Sequence, residues 1–289
     1  MASTIEEAFR EFADILTTPS GETSAAAGHR ASIKQCLEDQ FDMTHFFQSG
    51  SFGFGTNIPG FSDVDRFAVI PASNIRPNST AALRQVAMAL RHRFRSTRIA
   101  LDAPAIRIDF RDGSEATEII PAIDITPHGS DHRVFKIPNG AGGWTASSPE
   151  SHKQFIAESD EKCDSRLKPF IRFVKAWKYY RKVPIRSFYL EISVAEYALS
   201  KSVLYYPFHV PGLFGYLWQK RIGPTEDPMA ISGSLSACQS AQRSKALIKL
   251  EGATRLSQRA AIADLGGQSE RAFLNWNSLY MNKYPSFSG

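Results

Sequence analysis

The feature that most constrains the fold of this 289-residue chain is a change of hydrophobic pattern near residue 150. Before it, short segments rich in β-branched residues are typical of strands, among a few helical segments. After a glycine-rich stretch at residues 139–143, apolar residues recur mostly at helical spacing. This order predicts an α+β core over residues 1–150, N-terminal helices included, packed on a helical domain over residues 151–289. A ligand site is expected in the cleft between these two domains.

Local signals predict the individual elements. Ser3 and Glu6 have the spacing of a capping box, which predicts a helix over residues 4–17 that ends at Thr18-Pro19-Ser20-Gly21. The other elements predicted in the first half are a helix over 24–40, a strand over 44–48, a small-residue turn over 50–56, a strand over 62–70, a helix over 79–96, and a hairpin of strands 105–110 and 116–125. In the second half the predictions are a helix over 166–182 and loops near 205–212 and 223–234.

Charge and cysteine content narrow the class of protein. The chain has 34 Lys and Arg against 29 Asp and Glu, and its net charge of +5 excludes a polybasic, histone-like protein. The same charge allows a local concentration of cations around a phosphate ligand. Three cysteines, odd in number and far apart, suit neither a disulfide framework nor a zinc site, so a cytoplasmic location is predicted. No apolar stretch is long enough to span a membrane, and no membrane partner is expected.

Asp63 and Asp65 are the first chemical signal. They lie two residues apart at the start of a predicted strand, so both side chains leave the same face. Carboxylates this close repel unless a cation lies between them, and hard oxygen ligands suit Mg²⁺ or Mn²⁺. An Asp-x-Asp pair alone is more often a turn than a metal site. However, Gly50 and Ser51 precede it, and there a glycine lets backbone N–H groups approach a phosphate to which the Ser51 hydroxyl can donate.

Further motifs follow in a distinctive order. They are GSFGFGT (50–56), SDVD (62–65), EIIPA (118–122), Gly143-Trp144-Thr145, RFVKAWK (172–178), IRSFYLE (185–191) and NWNSLYMNKYPSF (275–287). In this order they resemble the nucleotidyltransferases of the polymerase-β type. More narrowly, they resemble the bacterial cGAS/DncV-like enzymes (CD-NTases), which make cyclic oligonucleotide second messengers in CBASS anti-phage defence. The resemblance covers most of the chain from residue 40 onward. It implies a polymerase-β-like core, a mixed sheet flanked by helices, with the active site in the cleft against the helical domain.

The resemblance also implies a catalytic metal site. By it, Asp63 and Asp65 ligate two Mg²⁺ or Mn²⁺ ions, and the matching position for a third ligand is Glu118. The family more often has Asp at that position. Asp109, on the partner strand of the hairpin, and Asp124, on the same strand face as Glu118, remain alternatives.

For the nucleotide, the resemblance implies contacts from both halves of the chain. The implied nucleotide-binding residues are Gly50 and Ser51 at the phosphates, Lys175 at the triphosphate, Ser187 at the donor nucleotide, and Phe188, or instead Tyr189, stacked on a base. For Lys175 the alternative is a solvated helix face, and for the two aromatic residues it is packing at a helix start.

The function that the resemblance implies is synthesis of a cyclic di- or trinucleotide from NTPs, ATP among them. A ribose hydroxyl attacks an α-phosphate and pyrophosphate leaves, with two metal ions at the site. A regulatory protein partner fits this class, a downstream effector would bind the product rather than this chain, and no nucleic acid is expected as an obligatory partner. Two alternatives remain: a nucleotidyltransferase acting on an RNA 3′ end, a small molecule or a protein, and a non-catalytic binding module. The intact Gly50, Ser51, Asp63 and Asp65 count against the second alternative.

Overall fold

A computed structural model describes residues 2–17 and 23–288 of the chain. Within these residues the helices are α1 (Ile5–Ile15), α2 (Ser24–Phe41), α3 (Gly50–Phe54), α4 (Ser79–Arg93), α5 (Pro149–Lys162), α6 (Leu167–Tyr180), α7 (Ser187–Leu199), α8 (Tyr206–Gln219), α9 (Arg243–Leu265) and α10 (Ser269–Leu279). The strands are β1 (His45–Gln48), β2 (Val64–Val69), β3 (Arg98–Asp102), β4 (Ala105–Asp109), β5 (Thr117–Asp124), β6 (Phe135–Pro138), β7 (Trp144–Ser147), β8 (Thr225–Glu226) and β9 (Ser234–Leu235). None of the described helices combines the length and the apolarity that crossing a membrane requires.

The described residues divide into two compact units. A sheet-bearing unit holds residues 23–155, and a helical unit holds residues 2–17 and 156–288. The sheet of the first unit has the strand order β1-β2-β5-β4-β3, and β6 pairs with both β5 and β7. Strands β2 and β5 run parallel, with Val64 opposite Thr117, whereas the other pairs are antiparallel. The parallel pair brings the starts of β2 and β5 side by side at one edge of the sheet.

Helices α2 and α4 cover one face of this sheet. The main buried cluster of the unit contains Ile106 and Ile108 of β4 and Ile119 of β5, together with apolar side chains of both helices. A smaller cluster on the other face contains Phe67 of β2 and Ile120 of β5. Because successive strand side chains point to opposite faces, each strand contributes to both clusters. Arg107, which lies between Ile106 and Ile108, and Glu118, which precedes Ile119, therefore face away from α2 and α4.

Helix α1 belongs to the helical unit, whereas α2 belongs to the sheet-bearing unit, so the prediction that the N-terminal helices form part of the core domain is corrected for α1 only. Its Phe9 and Phe12 are fully buried. The ring of Phe9 lies 5.0 Å from that of Phe173 and 4.9 Å from that of Trp276, and Phe12 lies 4.6 Å from Tyr280. Helix α1 is strongly amphipathic, and its apolar face completes an aromatic core built from α6 and the C-terminal segment.

The start of α1 lies one residue later than its sequence pattern predicted. Thr4 rather than Ser3 is the N-cap: its hydroxyl accepts the Glu7 N–H at 3.2 Å, and the Glu7 carboxylate accepts the Thr4 N–H at 3.1 Å. A capping box is therefore present, but Glu7 rather than Glu6 forms it. The predicted stop at Thr18-Pro19-Ser20-Gly21 lies outside the described residues.

Other predictions were right in type and differ mainly at the ends of elements. The helices over 24–40, 79–96 and 166–182, the strands over 44–48 and 62–70, and the hairpin of β4 and β5 are confirmed. The predicted turn at 50–56 contains the short helix α3, and the predicted loop near 205–212 is wrong, because α8 begins there. Pro207 occupies the first turn of α8, where no backbone donor is needed. Strands β3, β6, β7, β8 and β9 were not predicted, and β8 lies within the predicted loop near 223–234.

Candidate active site

Three neighbouring strands bring charged side chains to one level of the sheet. In the parallel pair, Asp65 of β2 is the register partner of Glu118 of β5, and in the antiparallel pair Glu118 is the partner of Arg107 of β4. Register partners on adjacent strands share a face. Asp63 lies two residues before Asp65 and Asp109 two residues after Arg107, so both extend the same row. The sheet thus gathers four carboxylates around one guanidinium.

Arg107 is the cation that holds this cluster together. Its Nη1 lies 2.5 Å from Asp63 Oδ2 and 3.6 Å from Glu118 Oε1, while its Nε donates to Asp109 Oδ1 at 2.9 Å. Among the residues that the structure describes, no three acidic, histidine or cysteine side chains converge at metal-binding distance. The guanidinium takes the position of a counter-ion instead. Oxygen donors alone form the anionic part of the cluster, which is the donor set that Mg²⁺ or Mn²⁺ requires.

Glu118 is the electrostatically most perturbed member of the cluster. Burial, followed by the negative charges of Asp65 and Asp63, raises its pKa to about 8, although Arg107 opposes the shift. Burial and two neighbouring carboxylates both disfavour the charged form of Glu118, and a cation bound among these oxygens would offset both effects. The carboxylates present therefore fit a divalent cation.

The glycine-serine segment lies directly against Asp65. Gly50 begins α3 with φ +59°, and a Cβ atom added there would lie 1.7 Å from Asp65 Oδ2. Only glycine satisfies both the backbone conformation and this contact. The backbone N–H of Ser49 donates to the Asp65 carbonyl oxygen at 2.9 Å. The half-exposed Ser51 follows in α3, so the structure brings together Gly50, Ser51 and the carboxylates of this unit.

The alternative third ligands differ in their surroundings. Asp109 belongs to the same row but is bonded to Arg107. Asp124 lies at the far end of β5, six residues from Glu118 or about 20 Å along an extended strand. Its Oδ1 accepts the backbone N–H of Thr126 at 2.8 Å and the Thr126 hydroxyl at 2.6 Å, so it fixes a turn. Of the three carboxylates, only Glu118 is in register with Asp65.

In the helical unit, Lys175 is enclosed. Its side chain is 0% exposed, and its Nζ donates to Glu191 Oε1 of α7 at 2.6 Å. The alternative of a solvated helix face is therefore wrong for this lysine, and its predicted contact with the triphosphate would require this ion pair to open. Sequence reasoning overlooked Glu191, although its position within the apolar run of α7 is a signal that it has a partner.

Ser187, the first residue of α7, is more accessible than Lys175 and contacts a different lysine. Lys178 Nζ donates to Ser187 Oγ at 2.5 Å, and the Tyr179 hydroxyl lies 3.2 Å from the same oxygen. Burial lowers the pKa of Lys178, and the charge of Lys175 acts in the same direction. Phe188 is half-buried, whereas Tyr189 is buried and donates to the Gly223 carbonyl oxygen at 2.7 Å. Tyr189 therefore packs at the helix start and does not present a ring for stacking.

Arg107 and Lys178 are the site candidates that sequence reasoning missed. The segment AIRID (105–109) carries a signal for the first, because an arginine between two buried isoleucines must point to the other strand face. For Lys178 there is no such signal, since its partner Ser187 follows an irregular loop.

A mixed sheet that sets a glycine-serine segment against carboxylates on adjacent parallel strands is the arrangement expected of a nucleotidyltransferase. The model of the Second Messenger Oligonucleotide or Dinucleotide Synthetase domain matches residues 3–160. The chain belongs to this family of cyclic nucleotide synthases, which are metal-dependent nucleotidyltransferases. The resemblance seen in the sequence motifs is thereby confirmed for the family and for the α+β fold class.

Individual relatives are distant. A Bacillus cereus (strain VD146) protein named a probable cyclic nucleotide synthase is 21% identical over 235 residues, which cover 80% of this chain and 70% of that protein. Escherichia coli MS115-1 CdnC has been solved in complex with HORMA-deltaN and with ATP. Both structures match with a TM-score of 0.73 at 15% and 16% identity, over 97% of this chain and 98% and 99% of theirs. Vibrio cholerae DncV, a cyclic AMP-GMP synthase solved with a linear intermediate, matches with a TM-score of 0.67 at 14% identity, over 97% of this chain and 86% of DncV. At these identities, the structural matches establish a shared fold.

Proposed function

We propose that this protein joins nucleoside triphosphates, ATP among them, into a cyclic di- or trinucleotide that signals in anti-phage defence. The observation that carries the proposal is the row of Asp63, Asp65 and Glu118 on adjacent parallel strands, beside Gly50 and Ser51, in a chain of the cyclic nucleotide synthase family. The ATP complex of CdnC and the linear intermediate bound to DncV support nucleoside triphosphates as substrates.

The proposed reaction is an in-line displacement. A ribose hydroxyl oxygen forms a bond to the α-phosphorus of a nucleoside triphosphate, the bond from that phosphorus to pyrophosphate breaks, and the hydroxyl proton passes to solvent. Repeating the step with the other end of the product closes the ring. Asp63, Asp65 and Glu118 are the residues that would hold two Mg²⁺ or Mn²⁺ ions. Such ions, when bound, lower the pKa of the attacking hydroxyl and counter the charge of the triphosphate.

For the helical unit, we assign Ser187 and Phe188 to nucleotide binding, Ser187 at phosphate oxygens and Phe188 at a base. The short contact between Lys178 Nζ and Ser187 Oγ supports this assignment, because a phosphate oxygen can accept from both groups. Lys175 keeps its proposed role at the triphosphate through a rearrangement that separates it from Glu191. Without that rearrangement, Lys175 would act through Lys178 as a positioning residue.

The test is a product analysis with the full chain. Purified protein is incubated with labelled NTPs and Mg²⁺ or Mn²⁺, treated with phosphatase, and the surviving material is identified by mass spectrometry. A small, phosphatase-resistant cyclic product supports the proposal. A ladder that appears only with added RNA would instead establish a tailing enzyme, and no nucleotide transfer under any condition would favour a binding module.

The same product assay tests which carboxylate is the third metal ligand. Glu118→Gln is expected to cost far more activity than Asp109→Asn, and Asp124→Asn serves as a control on the same strand as Glu118. The reverse ranking would reassign the third ligand to Asp109.

Regulation and location are also proposals. The CdnC:HORMA-deltaN complex supports a regulatory protein partner for this chain as well. Cyclic product from the purified chain alone would establish that no partner is required. A downstream effector is proposed to bind the product, and the cytoplasm is the proposed location because Cys36, Cys163 and Cys238 are free thiols.

A further inference from the structure

The position of Arg107 follows from the sheet itself. Its neighbours Ile106 and Ile108 are both 0% exposed, in the core under α2 and α4. Strand alternation then directs the Arg107 side chain to the opposite face, where Asp63 and Glu118 lie. A guanidinium is therefore built into the row of carboxylates by the backbone of β4.

Arg107 and a divalent cation would compete for the same oxygen atoms. Nη1 lies 2.5 Å from Asp63 Oδ2 and 3.6 Å from Glu118 Oε1, and both residues are proposed metal ligands. A divalent cation of this kind binds carboxylate oxygens at about 2.1 Å, so a guanidinium nitrogen 2.5 Å from the same oxygen would lie close enough to repel it. The two cations therefore compete at Asp63.

Asp109 provides a second position for the same guanidinium. Arg107 Nε donates to Asp109 Oδ1 at 2.9 Å, whereas a different nitrogen, Nη1, contacts Asp63. Nη1 can leave Asp63 while this bond is kept. Arg98 also approaches Asp109, with Nε 3.9 Å from Oδ2, but its side chain is 83% exposed and the structure gives it no contact with Asp63 or Glu118.

We propose that Arg107 is the resident counter-ion of the carboxylate row, and that it must withdraw toward Asp109 before a divalent cation binds there. The affinity of the protein for metal is then limited by Arg107. This proposal rests on the proposed function insofar as Asp63, Asp65 and Glu118 are the metal ligands. It assigns to Arg107 a positioning role that acts through metal occupancy.

The test measures Mn²⁺ binding to the metal-free full chain without nucleotide, by the loss of the free Mn²⁺ signal in electron paramagnetic resonance. Arg107→Gln is expected to bind Mn²⁺ about three- to fivefold more tightly than wild type, because a partly exposed ion pair is worth up to about that factor. Arg98→Gln is the matched control. It removes the same charge near Asp109 without touching Asp63, and it is expected to bind within about twofold of wild type.

The variant Asp65→Asn distinguishes failure of the counter-ion proposal from failure of the proposed metal site. One outcome overturns the counter-ion proposal: Asp65→Asn abolishes Mn²⁺ binding, and Arg107→Gln binds Mn²⁺ as tightly as wild type or more weakly. Arg107 would then be organising the carboxylates for the metal. If Asp65→Asn leaves binding intact, the proposed metal site is itself wrong. Arg107→Met covers the case in which Arg107→Gln fails to fold. It keeps an aliphatic side chain but removes the charge, so this variant is also expected to bind Mn²⁺ more tightly than wild type, and equal or weaker binding would overturn the proposal.

Discussion

The two units of this protein differ in how their buried and clustered charges are paired. Residues 19–155 of the sequence contain 14 Lys and Arg and 14 Asp and Glu, and the rest of the sequence contains 20 and 15, so the whole excess of +5 lies outside residues 19–155. Yet the unit with balanced composition has the unbalanced site, where carboxylates outnumber the cation Arg107. In the helical unit the most deeply buried cation, Lys175, has an anionic partner at 2.6 Å. Net charge thus says little about where a charge imbalance is maintained.

This difference in pairing distinguishes charged residues with a structural role from charged residues with a chemical role. A buried pair such as Lys175 and Glu191 satisfies its own charges, and its main consequence is a fixed position of α6 against α7. In the row of carboxylates, burial and then the charges of Asp65 and Asp63 raise the pKa of Glu118, so the row retains a charge that Arg107 only partly compensates.

The largest effect is expected at the acidic pair. Asp63→Asn combined with Asp65→Asn should lower the rate of product formation on the order of 10³-fold or more, because the proposed metal site loses two charged ligands. Folding should remain intact, since the change removes mutually repelling charges, and circular dichroism with thermal unfolding checks this. Full activity in the double variant would refute the metal assignment.

Breaking the paired charge of the helical unit should act on stability instead. Lys175→Met removes the cation 2.6 Å from Glu191 and is expected to lower the free energy of unfolding by about 3–5 kcal/mol, measured by urea denaturation. The double variant Lys175→Met with Glu191→Leu should recover most of this loss, because no buried charge is then left. If the double variant is as unstable as the single one, the pair is not the cause.

Gly50→Ala tests the contact between the glycine-serine segment and the carboxylates. The new Cβ would meet Asp65 Oδ2 at 1.7 Å, and alanine is strained at φ +59°. Moving Asp65 by about 1 Å is expected to lower activity about 10²-fold in the product assay. Gly28→Ala in α2 is the matched control, because an added Cβ there has nothing within 4 Å, and it should leave activity unchanged. Equal activity in both variants would show that Gly50 does not position Asp65 in the active site.

These residues also show what could be predicted from sequence. Strand alternation places Asp63 and Asp65 on one face, and the motif order that resembles the family points to Glu118 as their partner; their role at a metal stays a prediction. The state of Lys175 depends on how α6 packs against α7, and the role of Arg107 depends on the register between β4 and β5; neither is encoded in local spacing. Helix α8 was missed because Pro207 and Pro211 indicate a loop, whereas burial of Val210 and Phe214 stabilises a helix.

The smallest effect, and the sharpest test of the contrast, is the pH dependence of Glu118. Its raised pKa means that the folded state keeps a proton which the unfolded state loses near pH 4.5. Stability of the metal-free protein should therefore fall as pH rises from about 5 to about 8 and then level off. Glu118→Gln should remove this fall and raise the unfolding free energy at pH 8.5 by about 1–3 kcal/mol, measured by denaturation in EDTA. Asp124→Asn is the control, because hydrogen bonds from Thr126 lower the pKa of Asp124 against the effect of its burial, so its contribution is lost only on acidification. If Glu118→Gln keeps the wild-type slope between pH 5 and 8, the carboxylate row is not short of positive charge, and the contrast between the two units fails at its central residue.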